Sequence, residues 1–560
     1  MIVIALSWLI LLVFFIPTGI ATKSLLKIKA DDSYIPIFLG IFIQCLGLSI
    51  CSFFFKIGWI VFISNFLIII GLSIWKSREI KNSLKQIKND LKSLSTISKF
   101  TILTIFLFSL FKCAQYPFII DNESYYLQTI KWINEYGFVK GLGNLHIYLG
   151  QTSPFHVLQA GFNFNFLTDR INDINGFLLL ISSVYFITEF EKKYLKNGEI
   201  HWIGFILVFN ILFFQFINAP SPDLSIILIS QILFYHFLDK EDSLDNFKIA
   251  TLLFLYLLFV KITVAPLGLL VVYMLGFHKN RINFLLFFGT MTTVVLILKN
   301  SIITGYPFYP FDIFPLKVDW KIPQELLEFV SNITQKAGYF KNGSAHNASL
   351  FIKLNSWFHL GGINRIFNLG ILVLFALGLF IKKIQVQSKY KILYVILVIH
   401  FIILLLNSPQ FRFFLPEFVF LSVLILSSIS AYFKISIKFI RYALLISIIL
   451  PMILMEFIDY KNFTENKLHQ QTGKYNWYQI LIPEKSSKYA DIKFEKIKEG
   501  NLDYNSPKEN FFFYGTANGE LPCVNKVQID FLKKKYHIKP QLRTSNLSDG
   551  FYSKNISQNE

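Results

Sequence analysis

The sequence predicts an all-α multi-pass membrane protein of about 14 spans, followed by a small α/β or mixed domain outside the membrane. Three observations predict it. Of the 560 residues, 54% are hydrophobic and only 16% charged, more apolar surface than a soluble chain of this length can bury. The apolar residues, 62 phenylalanines among them, fall into many runs near the roughly 20 residues that cross a bilayer. Lys and Arg concentrate in the short loops between runs, where they set topology. The formal charge of +19 therefore needs no nucleic acid, and no nucleic-acid-binding motif accompanies it. Cys45, Cys51, Cys113 and Cys523 show neither paired nor metal-type spacing.

Taken in order, apolar segments run at 2–20, 35–55, 57–75 and 100–118. The first lacks a basic leader and a small-residue cleavage site, so it reads as a retained helix. Lys76, Arg78, Lys81, Lys85, Lys88, Lys92 and Lys99 make the loop before the fourth segment strongly basic, hence cytoplasmic. Lys23, Lys27 and Lys29 then share that side, and the N-terminus and Asp121 fall outside. Segments at 174–190, 201–217 and 223–238 follow. In 248–276, one continuous helix would bury Lys261 mid-membrane at about 2.5–3.5 kcal/mol. Two short helices turning near Lys261 bring it to the outer surface and keep His278, Lys279 and Arg281 inside. Only the two-helix reading lets all later loops obey the charge rule. Segments at 282–299, 366–382, 390–406, 413–431 and 437–455 complete a polytopic domain, 1–455, with outside loops at 119–173 and 300–365. Residues 456–560 form an extracytoplasmic domain or tail with strand-like runs such as ENFFFYGTA. No internal repeat is apparent.

The chemistry concentrates in residues 118–165. Asn122 or Ser124 can cap a helix starting near Tyr125. Tyr125, Trp132 and Tyr136 share one face of it, which suits an interfacial helix with its aromatics toward headgroups. A second interfacial helix starts at Pro154 after the cap Ser153, with Phe155, Leu158 and Phe162 on its buried side. The two would hold Asp121 and Glu123 at the mouth of the membrane domain. A carboxylate there can take the proton from a hydroxyl that attacks a phosphate-activated sugar. The plainer alternative is that both acids only favour the positive helix end after them. An acid immediately after a span is costly without a role, which favours function for Asp121; for Glu123 neither reading outweighs the other.

A phosphate-bearing donor needs cations. Arg412, between two spans, suits bidentate phosphate contact, or else is a helix-end charge. Lys261 is a second phosphate partner, or a lysine reaching for the interface. His146 and His156 could neutralise a leaving phosphate or join Asp121 in holding a divalent metal, Mg or Mn; isolated histidines are more often plain polar residues. Asp223 opens a span and is either a second acid of the site or an N-cap. Asp319, Trp320, His346, His359 and Arg365 in the 300–365 loop fit sugar contacts, though aromatics suit an interface equally. The sequons at Asn332, Asn342 and Asn347 are expected by chance in so Asn-rich a chain. The sequence contains no phosphate-binding P-loop, no H-E-x-x-H and no G-x-S-x-G.

DNESYYLQTIKWINEYGFVKGLGNLHIYLGQTSPFHVL, with GYPFYP (305–310), VDWKIP (318–323) and SPQFRFFLP (408–416), resembles the GT-C superfamily of polyprenyl-phosphate-dependent glycosyltransferases. The likeness is nearest to an uncharacterised bacterial multi-pass membrane protein family grouped near those enzymes, and in architecture covers about the first 455 residues. The resemblance implies a GT-C-like membrane fold and a lipid-linked sugar donor with inversion at the anomeric carbon. It also implies a site on the periplasmic or outer face of the cytoplasmic (inner) membrane, with Asp121 as base. The acids are spaced D-x-E rather than adjacent, which puts Glu123's part in question. The acceptor would be a glycan, lipid or protein. Two other readings compete: a polysaccharide polymerase or ligase, dependent on arginines in the large loop, and a lipid-linked sugar transporter or flippase. The transporter needs ionisable groups within the spans, and Lys261 is the one this reading finds.

Overall fold

The computed structural model describes residues 1–560 except 31, 277, 341–347, 458–475, 490, 509–510 and 557–560. Every apolar segment of the sequence is helical. α1 (Ile2–Leu25) and α2 (Ile35–Cys51) pack as an antiparallel pair. α3 (Trp59–Trp75) bends by 85° into α4 (Ser77–Ser93), a helix with no buried residue that carries the basic run. α5 (Thr96–Cys113) starts at the Ser95 cap. The first large loop holds α6 (Leu127–Tyr136) and α7 (Pro154–Phe162). α8 (Ile174–Asn197) is followed by a 3₁₀ stretch, Trp202–Phe209, that runs into α9 (Asn210–Phe213). Next come α10 (Pro222–Asp239), α11 (Leu244–Val260), α12 (Gly268–Leu275) and α13 (Lys279–Thr304). The second large loop carries α14 (Gln324–Tyr339) and α15 (Leu350–Phe358). α16 (Ile363–Gly378), α17 (Lys382–Val386), α18 (Ser388–Asn407), α19 (Leu415–Tyr432) and α20 (Ile437–Phe457) complete the bundle. α10 is its centre, since 17 of its 18 residues are buried.

This is a multi-pass helical membrane protein, but the expected 14 spans are not all membrane-length helices. Among the described residues, six helices are long and apolar enough to cross (α1, α5, α8, α13, α18 and α19), or eight if the bent pairs α3–α4 and α15–α16 each count as one span. The difference has a geometric cause. α2 has 17 residues, about 26 Å of helix against a hydrocarbon core of about 30 Å. Segment 201–217 is broken, 3₁₀ over Trp202–Phe209, α-helical only over Asn210–Phe213 and then in turns, with most of its residues buried in protein. Segment 248–276 breaks where its lysine demanded: α11 ends at Val260, Lys261 is extended, and Ile262–Leu267 is 3₁₀ before α12.

The two ends of the bundle differ in charge chemistry. At one end the basic loops and helix ends interlock with acids: Lys192–Asp90 at 2.9 Å, Lys193–Asp239 at 3.2 Å, Arg281–Asp242 at 2.8 Å, Lys383–Glu199 at 2.7 Å and Arg441–Glu191 at 2.5 Å. At the other end the N-terminal ammonium donates to the Gln479 carbonyl at 2.5 Å, and loop 139–153 bonds to the ends of α11 and α13. This division matches the alternation read from the basic loops.

Residues beyond α20 build a small α/β unit on the loop end. β1 (Phe494–Glu499) pairs antiparallel with β2 (Leu502–Pro507), and β3 (Ile538–Leu542) with β4 (Phe551–Asn555). α21 (Lys526–Tyr536), capped by Asn525, packs on β3. The run ENFFFYGTA forms no strand in its described residues, 511–517, which pass through turns beneath α21. The unit clamps the first loop. Phe551 N donates to the Lys140 carbonyl at 2.9 Å, and Thr516 N and Ala517 N both donate to the Glu123 carbonyl at 2.9 Å. Gly141 makes the close approach possible: its φ is +63°, and a Cβ there would lie 2.1 Å from the Phe551 carbonyl oxygen.

This cover corrects the reading of α6 as an interfacial helix. Trp132 is fully buried and meets Phe551 edge-on at 5.6 Å between ring centroids. The aromatic face that suited headgroups is instead the seat of the C-terminal unit. The helix at Pro154 and its Ser153 cap form, with Phe155, Leu158 and Phe162 buried.

Candidate active site

Four charged side chains from four separate elements meet at the loop end. Asp121 follows α5 and precedes a π-helical turn, Asn122–Tyr126, that leads into α6. Such wide turns recur at functional sites. The Asp121 carboxylate makes no cap bond to that turn. It accepts instead from Arg412 Nη1 at 2.7 Å, so the helix-end alternative does not describe what its side chain does. Arg412 lies in a short 3₁₀ turn, Phe411–Phe413, between α18 and α19, and its Nε donates to Gln410 Oε1 at 3.1 Å. Asp223 lies in the first turn of α10, whose cap is Ser221 and not Asp223 itself. Its carboxylate ion-pairs with Lys261 and stands 3.7 Å from Arg412. Lys261 reaches it from the break after α11, because the extended backbone there turns the residue out of the helix. The Phe413 ring backs both cations, 3.9 Å from Lys261 Nζ and 5.4 Å from the Arg412 guanidinium.

Exposure divides the labour. Asp223 is buried, at 3%, while Asp121, Lys261 and Arg412 are 21%, 21% and 30% exposed. Asp223 thus anchors both cations from below, and Asp121 is the acid that a ligand can reach. The cluster is electrically balanced, so an arriving anion can take over one cation by displacing a carboxylate. A line of tyrosines leads away from Asp121. Tyr126 Oη donates to it at 3.4 Å, and ring contacts continue through Tyr125 (4.7 Å) and Tyr148 (5.3 Å) to Tyr514 of the C-terminal unit (4.7 Å). The tyrosines were not singled out as site residues from sequence; YY directly after D-x-E-S was the available signal.

The other expected site residues lie elsewhere or serve other ends. Glu123 is fully buried and turned away from the cluster. Its carboxylate accepts from Ser487 Oγ at 2.5 Å, Lys488 N at 3.2 Å and Asn122 Nδ2 at 3.0 Å, and burial holds its carboxyl above the usual range. It therefore ties the C-terminal unit to the loop. Glu123→Gln is expected to keep the unit docked, whereas Glu123→Ala strands buried donors at about 1–3 kcal/mol each. Hydrogen exchange across residues 484–520 reads the difference. Because the folded carboxyl is raised, this docking is strongest below the ordinary carboxylate value. It weakens as pH climbs through the raised one, a dependence that Glu123→Gln removes.

His146 is buried and caps the turn Ile147–Gln151: Nδ1 accepts from Tyr148 N at 3.2 Å and Nε2 faces the Tyr514 carbonyl at 3.2 Å. That pairing needs a neutral ring, and burial pushes it down to about 4, so it supplies no cation for a phosphate. His156 is buried against the Tyr126 ring at 4.9 Å. Asp319 and Trp320 form a clasp with the C-terminal unit. Arg543 donates to Asp319 at 2.6 and 3.2 Å, which holds that carboxyl below its usual range, and stacks on Trp320 at 4.9 Å. His359 is exposed and bonds the Asn355 carbonyl of α15 at 2.7 Å. Arg365 is exposed at the start of α16. His346, Asn342 and Asn347 lie outside the described residues.

Asp121 and Asp223 already face Arg412 and Lys261, and among the described residues no three His, Cys, Asp or Glu side chains converge as metal ligands.

A buried pair escaped the sequence reading. His400 of α18 and Glu417 of α19 are both fully buried and in ion-pair contact, and His400 Nε2 meets the Thr263 carbonyl at 2.9 Å. Thr263 is two residues from Lys261, and Glu417 five from Arg412. The pair therefore braces both cation-bearing turns. Its signal was a single Glu in the apolar run LPEFVFLSV.

No curated protein and no solved structure matches the chain. A family model matches residues 1–420, which hold all four residues of the charged cluster. The chain belongs to the family described as Domain of unknown function (DUF8201).

Proposed function

We propose that this protein is an integral membrane glycosyltransferase of GT-C kind, moving a sugar from a polyprenyl-phosphate carrier to an acceptor outside the cytoplasmic membrane. The observation that carries the proposal is the reachable Asp121 held by Arg412 beside Lys261, at the end opposite the interlocked basic loops. By the charge rule those basic loops are cytoplasmic, which makes the Asp121 end periplasmic or external.

The geometry supports a definite sequence of events. A donor phosphate draws Arg412 and Lys261, whose fork and ammonium suit its oxygens. Arg412 then leaves Asp121, whose carboxylate becomes free to accept the proton of the attacking hydroxyl. The acceptor oxygen bonds to the anomeric carbon as the sugar–phosphate bond breaks, with inversion, and the electron pair leaves on the carrier phosphate beside the two cations. A lipid-facing apolar groove of about 390 Å³, lined by Phe254, Pro266, Leu269, Val272 and Ile399, starts a few residues beyond Lys261 and suits the carrier's isoprenoid tail.

Lipid-linked glycan analysis tests this in cells carrying wild type, a deletion, Asp121→Asn, or Lys85→Gln as a control in the basic helix α4. The deletion and Asp121→Asn are expected to lose the same modification while inserted protein remains at wild-type level. A wild-type glycan profile from Asp121→Asn would overturn the base assignment.

One observation favours a second reading, a lipid-linked sugar transporter. His400, Glu417 and Lys299 are ionisable groups buried within the helical bundle, which the sequence reading did not single out. A transporter would move lipid-linked sugar across vesicles with no new glycosidic bond, and Asp121→Asn would then alter flux without changing the product.

A further inference from the structure

We infer that the seam between the first loop and the C-terminal unit is a saccharide-binding pocket for uncharged or amino-bearing sugars. A cavity of about 320 Å³ opens there, at the low end of small-molecule sites. α6, which starts just beyond Asp121 and its π-helical turn, supplies one wall. Residues 163–172 supply the second and residues 518–521 the third.

The lining has the two properties a sugar ring needs. Leu127, Ile130, Ile171 and Leu521 offer apolar surface for the carbon–hydrogen face. Around them stand neutral and acidic hydrogen-bonding groups for the hydroxyls, with the Tyr136 ring at one edge. Some polar groups are committed to the frame. Asn134 bonds the Ile57 and Ala160 carbonyls at 2.6 and 2.9 Å, Asn163 bonds Asn134 at 2.8 Å, and Lys131 donates to the Asn518 and Gly519 carbonyls at 2.8 and 3.0 Å. One is not: Asn172, itself 9% exposed, keeps a fully buried carboxamide oxygen with no hydrogen-bond partner. A buried acceptor left open costs free energy, and a turn of the Asn172 carboxamide toward the cavity it lines would let a ligand hydroxyl satisfy it. Glu135, Asp169 and Glu520 outnumber Lys131 in the lining, so acidic sugars are disfavoured.

Resting on the transferase reading, the pocket makes the acceptor a glycan chain whose inner residues dock here while its terminal hydroxyl reaches toward Asp121. Detergent-solubilised full-length protein on an array of neutral, amino-bearing and acidic glycans tests this. Retention of neutral or amino-bearing chains over acidic ones is expected. Asn172→Leu should weaken retention about tenfold, the worth of one buried hydrogen bond. Glu520→Ala, at an exposed position where folding is not at stake, should weaken it severalfold. Lys85→Gln, exposed on the basic helix α4, should bind as wild type; retention is read without turnover, so a failed transfer reading leaves the pocket standing and a failed pocket leaves the transfer reading standing. No retained chain, a preference for acidic chains, or unchanged binding in both pocket variants overturns the proposal.

Discussion

Purified Asp121→Asn protein is expected to transfer sugar about 10²–10⁴-fold more slowly than wild type, the usual worth of a positioned general base. Its melting temperature should barely move. The Asp121–Arg412 pair is only part-buried, at 21% and 30% exposed, and Arg412 keeps Asp223 3.7 Å away, so the stability loss should stay well under the about 3–5 kcal/mol of a broken fully buried pair. The donor KM should stay level or fall, because Arg412 no longer has to leave a carboxylate before it meets phosphate. Arg412→Lys should show the opposite split, a raised donor KM with a smaller loss in kcat, since an ammonium keeps the charge but loses the fork. A slow Asp121→Asn enzyme with a sharply raised donor KM would mean that Asp121 binds substrate and does not act as base.

The second large effect is on stability. Glu417→Leu or His400→Phe alone should cost about 3–5 kcal/mol, because each leaves an uncompensated polar or charged group in the bundle interior. The double variant His400→Phe/Glu417→Leu should recover most of that loss, since apolar replacement of a whole buried pair is often neutral or stabilising. Unfolding in mixed detergent measures the cycle. If the pair braces the turns that carry Lys261 and Arg412, the recovered double variant remains slow in transfer although it is stable. A double-variant loss equal to the sum of the two single losses would show that the two residues act independently.

Much of the charged cluster was legible residue by residue. Asp121 is an acid just after an apolar run, and Lys261 sits in the middle of another; each is expensive there and so announces itself. Arg412 is a lone cation between two spans. Asp223 was ambiguous between acid and cap, and the Ser221 cap resolves it. What sequence could not yield was that these four are partners, because Asp121 and Arg412 are 291 positions apart. The partners of Glu123, Asp319, Trp320 and His146 were not legible, for one common reason. Each faces the C-terminal unit, and nothing local marks a loop as covered. His400 and Glu417 were missed because averaging hydropathy over a run absorbs a single charged residue.

By itself the sequence determined that this is a helical, multi-pass membrane protein, where its helices lie, and which loops share an end. Those properties follow from the apolar length and the charge of short segments, both written locally in the chain. Only the tertiary structure decided how many helices are long and straight enough to span, which acid is reachable and which is an anchor, and what the last eighty or so residues cover. Such features depend on pairings between distant segments, where burial turns one carboxylate into a tether and leaves another partly exposed beside its cation.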